Sequence, residues 1–194
     1  MNTAQPIRTL DDLNHFKNYY RTTEYHPRNY LLLTFGLNTA LRISDILKLR
    51  WNDVYNFSDT SFREHLYVTE QKTGKSSCIY LNSSITEGLI LYYDFLESYS
   101  IVHKNDYLFA GTSGEPISRV QAYRIIKKAA EHCHLSGVIS PHSLRKTFGY
   151  HAWKRGTNPV LLMNIYNHSS FTITQRYLGI EQEDKDDVFK SICL

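Results

Sequence analysis

The chain has 194 residues, of which 42% are hydrophobic and 21% are charged, and its formal net charge is +3 at pH 7. This length and composition suffice to bury the core of one globular domain. The first twenty residues contain no apolar run and no segment approaches membrane-spanning length, so we predict a cytoplasmic protein without signal peptide or membrane anchor.

Helical patterns dominate the beginning of the chain. Thr9 is a favourable N-cap residue, which predicts a helix over residues 9–20. A second, largely buried helix is predicted over residues 27–37, because Pro27 suits a first helical turn and apolar residues follow it. A short helix that carries Arg42 is predicted next.

A β-hairpin is predicted in the middle of the chain. Residues 51–70 have a strand-like composition. Residues 66–69 face residues 78–81 across Thr73-Gly74, which suits a turn between two strands. Lys72 lies at the tip of this predicted hairpin.

Two capping boxes predict the next pair of helices. In Ser84-x-x-Glu87 and Ser118-x-x-Gln121, a serine is followed three residues later by a glutamate or glutamine. At this spacing each side chain can accept a hydrogen bond from the backbone amide of the other residue, which satisfies two unpaired amides at the start of a helix. The helices are expected to run to about residues 100 and 134. Residues 112–116, between them, are predicted to form a loop.

The cysteines indicate neither a disulfide framework nor a metal site. Cys78, Cys133 and Cys193 are odd in number, widely spaced and without a C-x-x-C pattern, so we predict reduced thiols. His132-Cys133-His134 resembles a ligand cluster, but alternate residues on a helix point in different directions. We therefore predict no bound metal.

A helix with two chemically active side chains on one face is predicted near residue 140. Ser140-Pro141 combines an N-cap with proline at the first helical position, which predicts a helix over residues 141–155 that ends at Gly156. His142 and Arg145 are three residues apart and therefore share one face of this helix.

Two further helices follow. Asn158-Pro159 again combines an N-cap residue with proline at the first helical position, which predicts a helix that continues through Ile165. His168 lies in the turn after it. A third helix is predicted over residues 172–178 and carries Tyr177, nine residues after His168.

The last residues differ from the rest in charge. Residues 181–194 carry a net charge of −3 and the remaining chain carries +6, so a basic body is joined to an acidic tail. Val188, Phe189 and Ile192 have helical spacing and predict a tail helix with one narrow apolar stripe. The stripe is expected to dock either on its own domain or on a neighbouring protomer.

The motifs after residue 140 resemble the tyrosine recombinases, the phage-integrase type of site-specific DNA recombinase. That family has H-x-x-R, then His or Trp, then a nucleophilic Tyr about nine residues later. His142, Arg145, His168 and Tyr177 match this pattern in order and spacing.

Two upstream segments carry the same resemblance. Residues 39–51 are similar to the segment around the family's first catalytic arginine, which corresponds to Arg42, with an acid, Asp45, three residues later. Residues 71–75 are similar to the family's β-hairpin lysine segment, which corresponds to Lys72. Each residue alone is compatible with an ordinary structural role, and only the ordered set indicates catalysis.

The resemblance implies a role for each matching residue. Cleaving a phosphodiester without metal requires cations on the non-bridging oxygens, an acid at the leaving oxygen and a nucleophile. Arg42 and Arg145 would bind the phosphate oxygens, and His142 and His168 would donate hydrogen bonds to those oxygens or manage the tyrosine proton. Lys72 would protonate the leaving 5′-oxygen. Tyr177 would form a 3′-phosphotyrosyl link, so neither metal nor cofactor is expected. Asp45 would hold the Arg42 guanidinium in place.

The resemblance also implies a fold and partners. We expect an α+β, mainly α-helical, integrase-type catalytic domain with a small antiparallel β-sheet over residues 1–194. About forty residues precede Arg42, so no separate core-binding domain is expected, and an accessory DNA-binding protein is one way to supply its role. The expected partners are double-stranded DNA and further copies of the chain in a synaptic tetramer.

Three alternatives remain open. A type IB topoisomerase would use the same residues to relax supercoils, but we see no DNA-encircling domain. A DNA-binding regulator that relies on a partner for site recognition would not need Tyr177. A structural helical interaction module would not account for the ordered set.

Overall fold

The computed structural model describes residues 4–99, 102–178 and 182–192, and within them the chain forms helices and two small sheets. In chain order the helices are α1 (Leu10–Asn18), α2 (Pro27–Asn38), α3 (Ile43–Ile46), α4 (Trp51–Val54), α5 (Ser83–Glu97), α6 (Arg119–His132), α7 (Pro141–Lys154), α8 (Pro159–Ile165), α9 (Phe171–Leu178) and α10 (Gln182–Ser191). A π-helical turn, Tyr19–Thr23, extends α1. The strands are β1 (Tyr55–Asn56), β2 (Ser61–Phe62), β3 (His65–Thr69) and β4 (Ser76–Tyr80).

The predicted α+β class, mainly helical with antiparallel strands, is confirmed. Each sheet in the described residues is a two-stranded antiparallel pair, β1 with β2 and β3 with β4. The strand-like composition predicted from residue 51 was wrong at its start, because Trp51–Val54 is helical. No helix in the described ranges combines the length and the apolar character needed to cross a bilayer.

The β3–β4 hairpin forms, but its register differs from the predicted one by two residues. Leu66 pairs with Ile79, and Thr69 with Ser76. The reason is the turn: the Glu70 amide donates to the Lys75 carbonyl at 2.9 Å, and the Gly74 amide donates to the Glu70 carbonyl at 2.8 Å. These bonds close the chain over residues 70–75 and so fix where pairing begins.

The buried helix α2 lies at the centre of the fold. Leu31, Leu32 and Phe35 pack into a cluster with residues of α4, β3 and α5, while Leu33 packs with residues of α1, α6 and α7. Gly36 allows α7 to come close, because a Cβ at this position would lie 2.5 Å from a side-chain carbon of Leu144. This contact brings the helix that carries His142 and Arg145 against the chain that leads to Arg42.

The local helix signals were mostly correct. At the start of α6, the Gln121 amide donates to the Ser118 hydroxyl at 3.2 Å and the Ser118 amide donates to the Gln121 side chain at 2.8 Å, so this capping box is confirmed. The box predicted at Ser84 is wrong, because α5 begins at Ser83 with Asn82 as its cap. The Asn82 side chain accepts from the Ile85 amide at 3.1 Å and also donates to Asn38 at 2.9 Å. It therefore caps α5 and ties it to the end of α2.

Candidate active site

All six residues predicted as catalytic line one open cleft of about 1290 Å³. They come from separate parts of the chain: the residue before α3, the β3–β4 turn, α7, the turn between α8 and α9, and α9 itself. The residues are Arg42, Lys72, His142, Arg145, His168 and Tyr177. The fold thus gathers groups that are up to 135 positions apart in sequence.

The cleft is strongly basic. Besides Arg42, Lys72 and Arg145, its wall includes Lys48, Lys75 and Arg119. Among the described residues that line the cleft, none is Asp or Glu. A concave surface lined by cations without acidic residues attracts and holds a phosphate backbone.

Arg145 is fixed by backbone carbonyls instead of a carboxylate. Its side chain is 2% exposed, and its guanidinium donates to the Ala40 carbonyl and, at 2.9 Å, to the Tyr166 carbonyl. Its Nε has no hydrogen-bond partner among the described residues. Because neutral carbonyls orient the guanidinium without cancelling its charge, Arg145 keeps a full positive charge for an anion in the cleft.

Tyr166, which the sequence analysis did not single out, supports this arrangement from behind. Its hydroxyl donates to the Arg145 carbonyl at 2.7 Å, and its ring stacks on His168 with 5.1 Å between centroids. Gly149 makes room for it, because a Cβ there would lie 2.3 Å from the Tyr166 hydroxyl oxygen. Any larger residue at position 149 would displace Tyr166 and, with it, the support for Arg145 and His168.

Arg42 has a different partner from the predicted one. Its guanidinium pairs with the buried carboxylate of Glu70, the residue immediately after β3. Asp45 instead accepts from the Gln71 amide at 3.1 Å, and its other oxygen has no partner among the described residues. Arg42 precedes α3 with extended backbone (φ −75°, ψ 148°), so it does not share a helix face with Asp45 as a three-residue spacing within a helix would require.

His168 is held in the turn between α8 and α9. Its Nδ1 lies 3.0 Å from the hydroxyl of the buried Thr174, and Asn167 before it adopts the left-handed conformation (φ 54°). Burial, together with the nearby Arg145 and Arg42, lowers the pKa of His168 to about 4. Burial and Arg145 also lower the pKa of His142. Both imidazoles are therefore neutral at pH 7 in the DNA-free protein.

Tyr177 lies against the same cluster from α9. Its ring is 4.9 Å from the His168 ring and 5.3 Å from the Tyr166 ring between centroids, and the Arg145 guanidinium carbon is 5.8 Å from its ring centre. The predicted nucleophile and the predicted phosphate ligands thus belong to one chain and one cleft. The described residues contain no group of three or more His, Cys, Asp or Glu side chains that could hold a metal ion.

The model of the phage integrase family matches residues 8–183 of this sequence. The chain belongs to the phage integrase family. Among curated proteins it is 40% identical over 191 residues to a probable integrase/recombinase, YoeC, of Bacillus subtilis, a match that covers 98% of this chain and 97% of YoeC. It is 28% identical over 163 residues to the tyrosine recombinase XerD of Corynebacterium glutamicum, covering 84% of this chain and 52% of XerD.

Solved structures of recombinases share the fold. The XerA recombinase matches with a TM-score of 0.77 and 19% identity over 97% of this chain and 66% of XerA. The XerH recombinase, bound to a palindromic difH substrate in a post-cleavage complex, matches with a TM-score of 0.78 and 18% identity over 97% of this chain and 53% of XerH. The chain thus spans nearly all of YoeC but about half of XerD and XerH.

The lowered pKa of His168 is expected to make the stability of this domain sensitive to acid. In the unfolded chain His168 has its ordinary pKa of about 6.5, whereas in the folded protein it is about 4. The unfolded state therefore takes up the proton first, and the contribution of His168 to stability is complete above pH 6.5 and is lost as the pH falls toward 4.

We expect His168→Gln to flatten this dependence. The wild-type melting temperature should fall more steeply than that of His168→Gln between pH 7 and pH 4.5, measured by differential scanning fluorimetry. The exposed His103, changed to Gln, is the control and should keep the wild-type profile. Parallel curves for wild type and His168→Gln would show that His168 is not held neutral by the fold.

Proposed function

We propose that this protein is a site-specific recombinase that cuts and rejoins DNA strands through a 3′-phosphotyrosyl intermediate, without metal or nucleotide cofactor. The observation that carries the proposal is the position of Tyr177, which lies beside Arg145 and His168 in a basic cleft. A tyrosine that contacts a buried arginine whose positive charge is not neutralised by a carboxylate is suited to attack a phosphate that the arginine binds.

In the proposed cleavage step, the Tyr177 oxygen attacks phosphorus and the bond to the 5′-oxygen breaks. Arg42 and Arg145 stabilise the charge that develops on the non-bridging oxygens. Lys72 gives a proton to the leaving 5′-oxygen, while Tyr177 loses its own proton. The phosphotyrosyl ester conserves the bond energy, so attack by a 5′-hydroxyl of another strand restores a phosphodiester without ATP.

The two histidines contribute as neutral rings. A neutral imidazole has one donor and one acceptor nitrogen, so His142 and His168 can donate to a non-bridging oxygen or accept the Tyr177 proton. The Thr174 hydroxyl lies 3.0 Å from Nδ1 of His168, which leaves Nε2 to face the substrate. Because both pKa values are lowered, protonation does not remove this capacity near pH 7.

We propose double-stranded DNA as the substrate and assembly of several copies on it. The cationic cleft supports the first part, because six cations line it. Solved relatives with the same fold support the second, since one of them, lambda integrase (TM-score 0.68, 20% identity, over 92% of this chain and 60% of that chain), is a dimer bound to a core site. Synapsis of two DNA sites would bring four copies together.

The test uses nicked suicide DNA. Duplexes that the protein binds are first selected from a random library, and nicks are then introduced at successive positions so that the released fragment diffuses away. A covalent protein–DNA species should accumulate in EDTA and without ATP. Tight binding without an adduct at any nick position would contradict the proposal and favour a DNA-binding regulator. Relaxation of plasmids without site preference would favour a topoisomerase.

The apolar stripe of α10 is exposed, which bears on assembly. Val188, Phe189 and Ile192 are 53%, 79% and 59% exposed, although the Lys154 ammonium pairs with Asp184 in the first part of the helix at 2.6 Å. The helix is thus anchored at its start, while its last part presents an uncovered stripe, as docking on a neighbouring protomer requires.

We expect deletion of residues 187–194 to leave a folded protein that binds a single DNA site but no longer forms the synaptic oligomer. Formation of the covalent adduct should also be poor. Sedimentation with and without DNA measures assembly, and the exposed Lys185, changed to Ala on the same helix, is the control. Identical assembly and cleavage by the truncated and full chains would eliminate exchange of the tail between protomers.

A further inference from the structure

Glu70 is a buried carboxylate behind the cleft that touches two catalytic segments at once. Its side chain is 1% exposed. One oxygen pairs with the Arg42 guanidinium, and the other accepts from the side-chain amide of Asn167 at 2.5 Å. Asn167 is the residue immediately before His168. A single side chain therefore joins the segment of Arg42 to the turn of His168.

Glu70 also belongs to the hairpin that carries Lys72. Its amide and carbonyl make the two backbone bonds that close residues 70–75. Asn167 extends the same connection, because its amide also donates to the Ser77 hydroxyl on β4 at 3.0 Å. The backbone and side chain of Glu70 thus link three segments, each of which carries one of the residues proposed as catalytic.

A charged group is buried at this position only because both of its oxygens have partners. An unpaired buried carboxylate is unstable, and the Arg42 charge and the Asn167 amide together satisfy it. The same contacts fix the two partners of Glu70. The Arg42 guanidinium is held toward Glu70, and Asn167 is held in its left-handed conformation (φ 54°) next to His168. All of these contacts are made within the one chain.

We propose that Glu70 is a positioning residue, which sets Arg42, Lys72 and His168 relative to one another before DNA binds. This inference rests on the proposed strand-cleavage function. Its competitor is that Glu70 opposes catalysis, by neutralising Arg42 and weakening its hold on phosphate. The two ideas predict opposite changes in rate when the charge is removed.

The experiment compares Glu70→Gln with wild type on a nicked duplex at saturating DNA. Glutamine keeps the size and can still accept from Asn167, but its amide cannot satisfy Arg42. The rate of adduct formation should fall by about 10- to 100-fold, the effect expected when a catalytic group is misplaced by about 1 Å. DNA affinity should change by less than about threefold, because the cleft keeps its cations. Glu70→Asp, which retains the charge, should recover part of the rate.

Two controls separate positioning from general damage. Glu64→Gln removes an exposed carboxylate before the same hairpin and should react like wild type. In an Arg42→Ala background, Glu70→Gln should cause little further loss of rate, because residues that act as a unit are not additive. A full, multiplicative loss in that background would overturn action through Arg42, and a wild-type or faster rate for Glu70→Gln alone would overturn positioning itself.

A measurement without DNA keeps the inference distinct from the proposed function. Glu70→Ala and Asn167→Ala should lower the melting temperature by amounts that do not add in the double variant, because each of them removes the hydrogen bond between Glu70 and Asn167. Asn167→Ala leaves the Arg42 pair in place and serves if Glu70→Gln does not fold. Independent, additive losses would overturn the proposal that Glu70 positions the turn of His168 through Asn167. An absence of adduct from wild type, despite coupled melting temperatures, would instead contradict the proposed function.

Discussion

Tyr177→Phe is expected to abolish covalent attachment to DNA while leaving the fold and DNA affinity nearly unchanged. Phenylalanine lacks only the hydroxyl, so the ring contacts with Tyr166 and His168 remain and the cationic wall of the cleft is unaltered. Adduct formation on the nicked substrate, followed by denaturing electrophoresis, measures the loss. Mass spectrometry of the wild-type adduct should locate the nucleotide on the peptide that contains Tyr177.

Two controls make this result specific. Tyr80→Phe removes the hydroxyl of an exposed tyrosine on β4 and should form the adduct normally. A mixture of Tyr177→Phe and Arg145→Ala should remain inactive, because Tyr177 and Arg145 of one chain lie together in one cleft and are proposed to act there as a pair. Recovery of cleavage in the mixture would show that Tyr177 acts in the cleft of another protomer. An adduct on another tyrosine would show that Tyr177 is not the nucleophile.

The parts of the site that lie close together in sequence could be predicted from local rules. Ser140-Pro141 and Gly156 define α7 because capping and proline preferences are properties of a few neighbouring residues. The three-residue spacing of His142 and Arg145 then places both on one side of that helix. The family resemblance extended this to Arg42, Lys72 and Tyr177, whose common cleft local rules alone do not predict.

The contacts that hold the site together could not be predicted in this way. Glu70 meets Arg42 across 28 positions, and Arg145 meets the carbonyl of Ala40 across 105, so neither pair leaves a periodic signal. Ala40 presents that carbonyl from a left-handed conformation (φ 55°), which is uncommon for a residue with a Cβ and has no sequence mark. Tertiary packing decides such contacts, and spacing rules do not include it.

The contact predicted for Asp45 was wrong because its partner also depends on tertiary packing. The acid three residues after Arg42 was expected to hold its guanidinium, but the Asp45 carboxylate faces the Gln71 amide. Asp45 therefore contacts the hairpin that carries Lys72, while Glu70 pairs with Arg42. The position of Asp45 in the sequence correctly indicated a residue next to the catalytic segments, but not which group it contacts. That contact depends on whether Arg42 lies inside α3 or before it, and Arg42 lies before it.

Lys72→Ala is expected to be severely slow on ordinary DNA and close to wild type on DNA whose leaving 5′-oxygen is replaced by sulfur. Lys72 is exposed in the β3–β4 turn and lines the cleft, so its ammonium can reach a bound leaving group. Loss of a general acid costs about 10²- to 10⁴-fold when the leaving group needs a proton. A thiolate leaves without protonation, so the sulfur substrate should remove most of that cost.

The matched control is Lys75→Ala, in the same turn and on the same cleft wall. If Lys75 only attracts the phosphate backbone, its loss should weaken binding, more so at high salt, and slow both substrates alike. Arg42→Ala and Arg145→Ala should likewise gain nothing from sulfur, because the two arginines are proposed to act on the non-bridging oxygens. Equal defects of Lys72→Ala on the two substrates would remove it from the role of acid. Rescue of Lys75→Ala alone would transfer that role to the neighbouring lysine, since the two differ in position and not in chemistry.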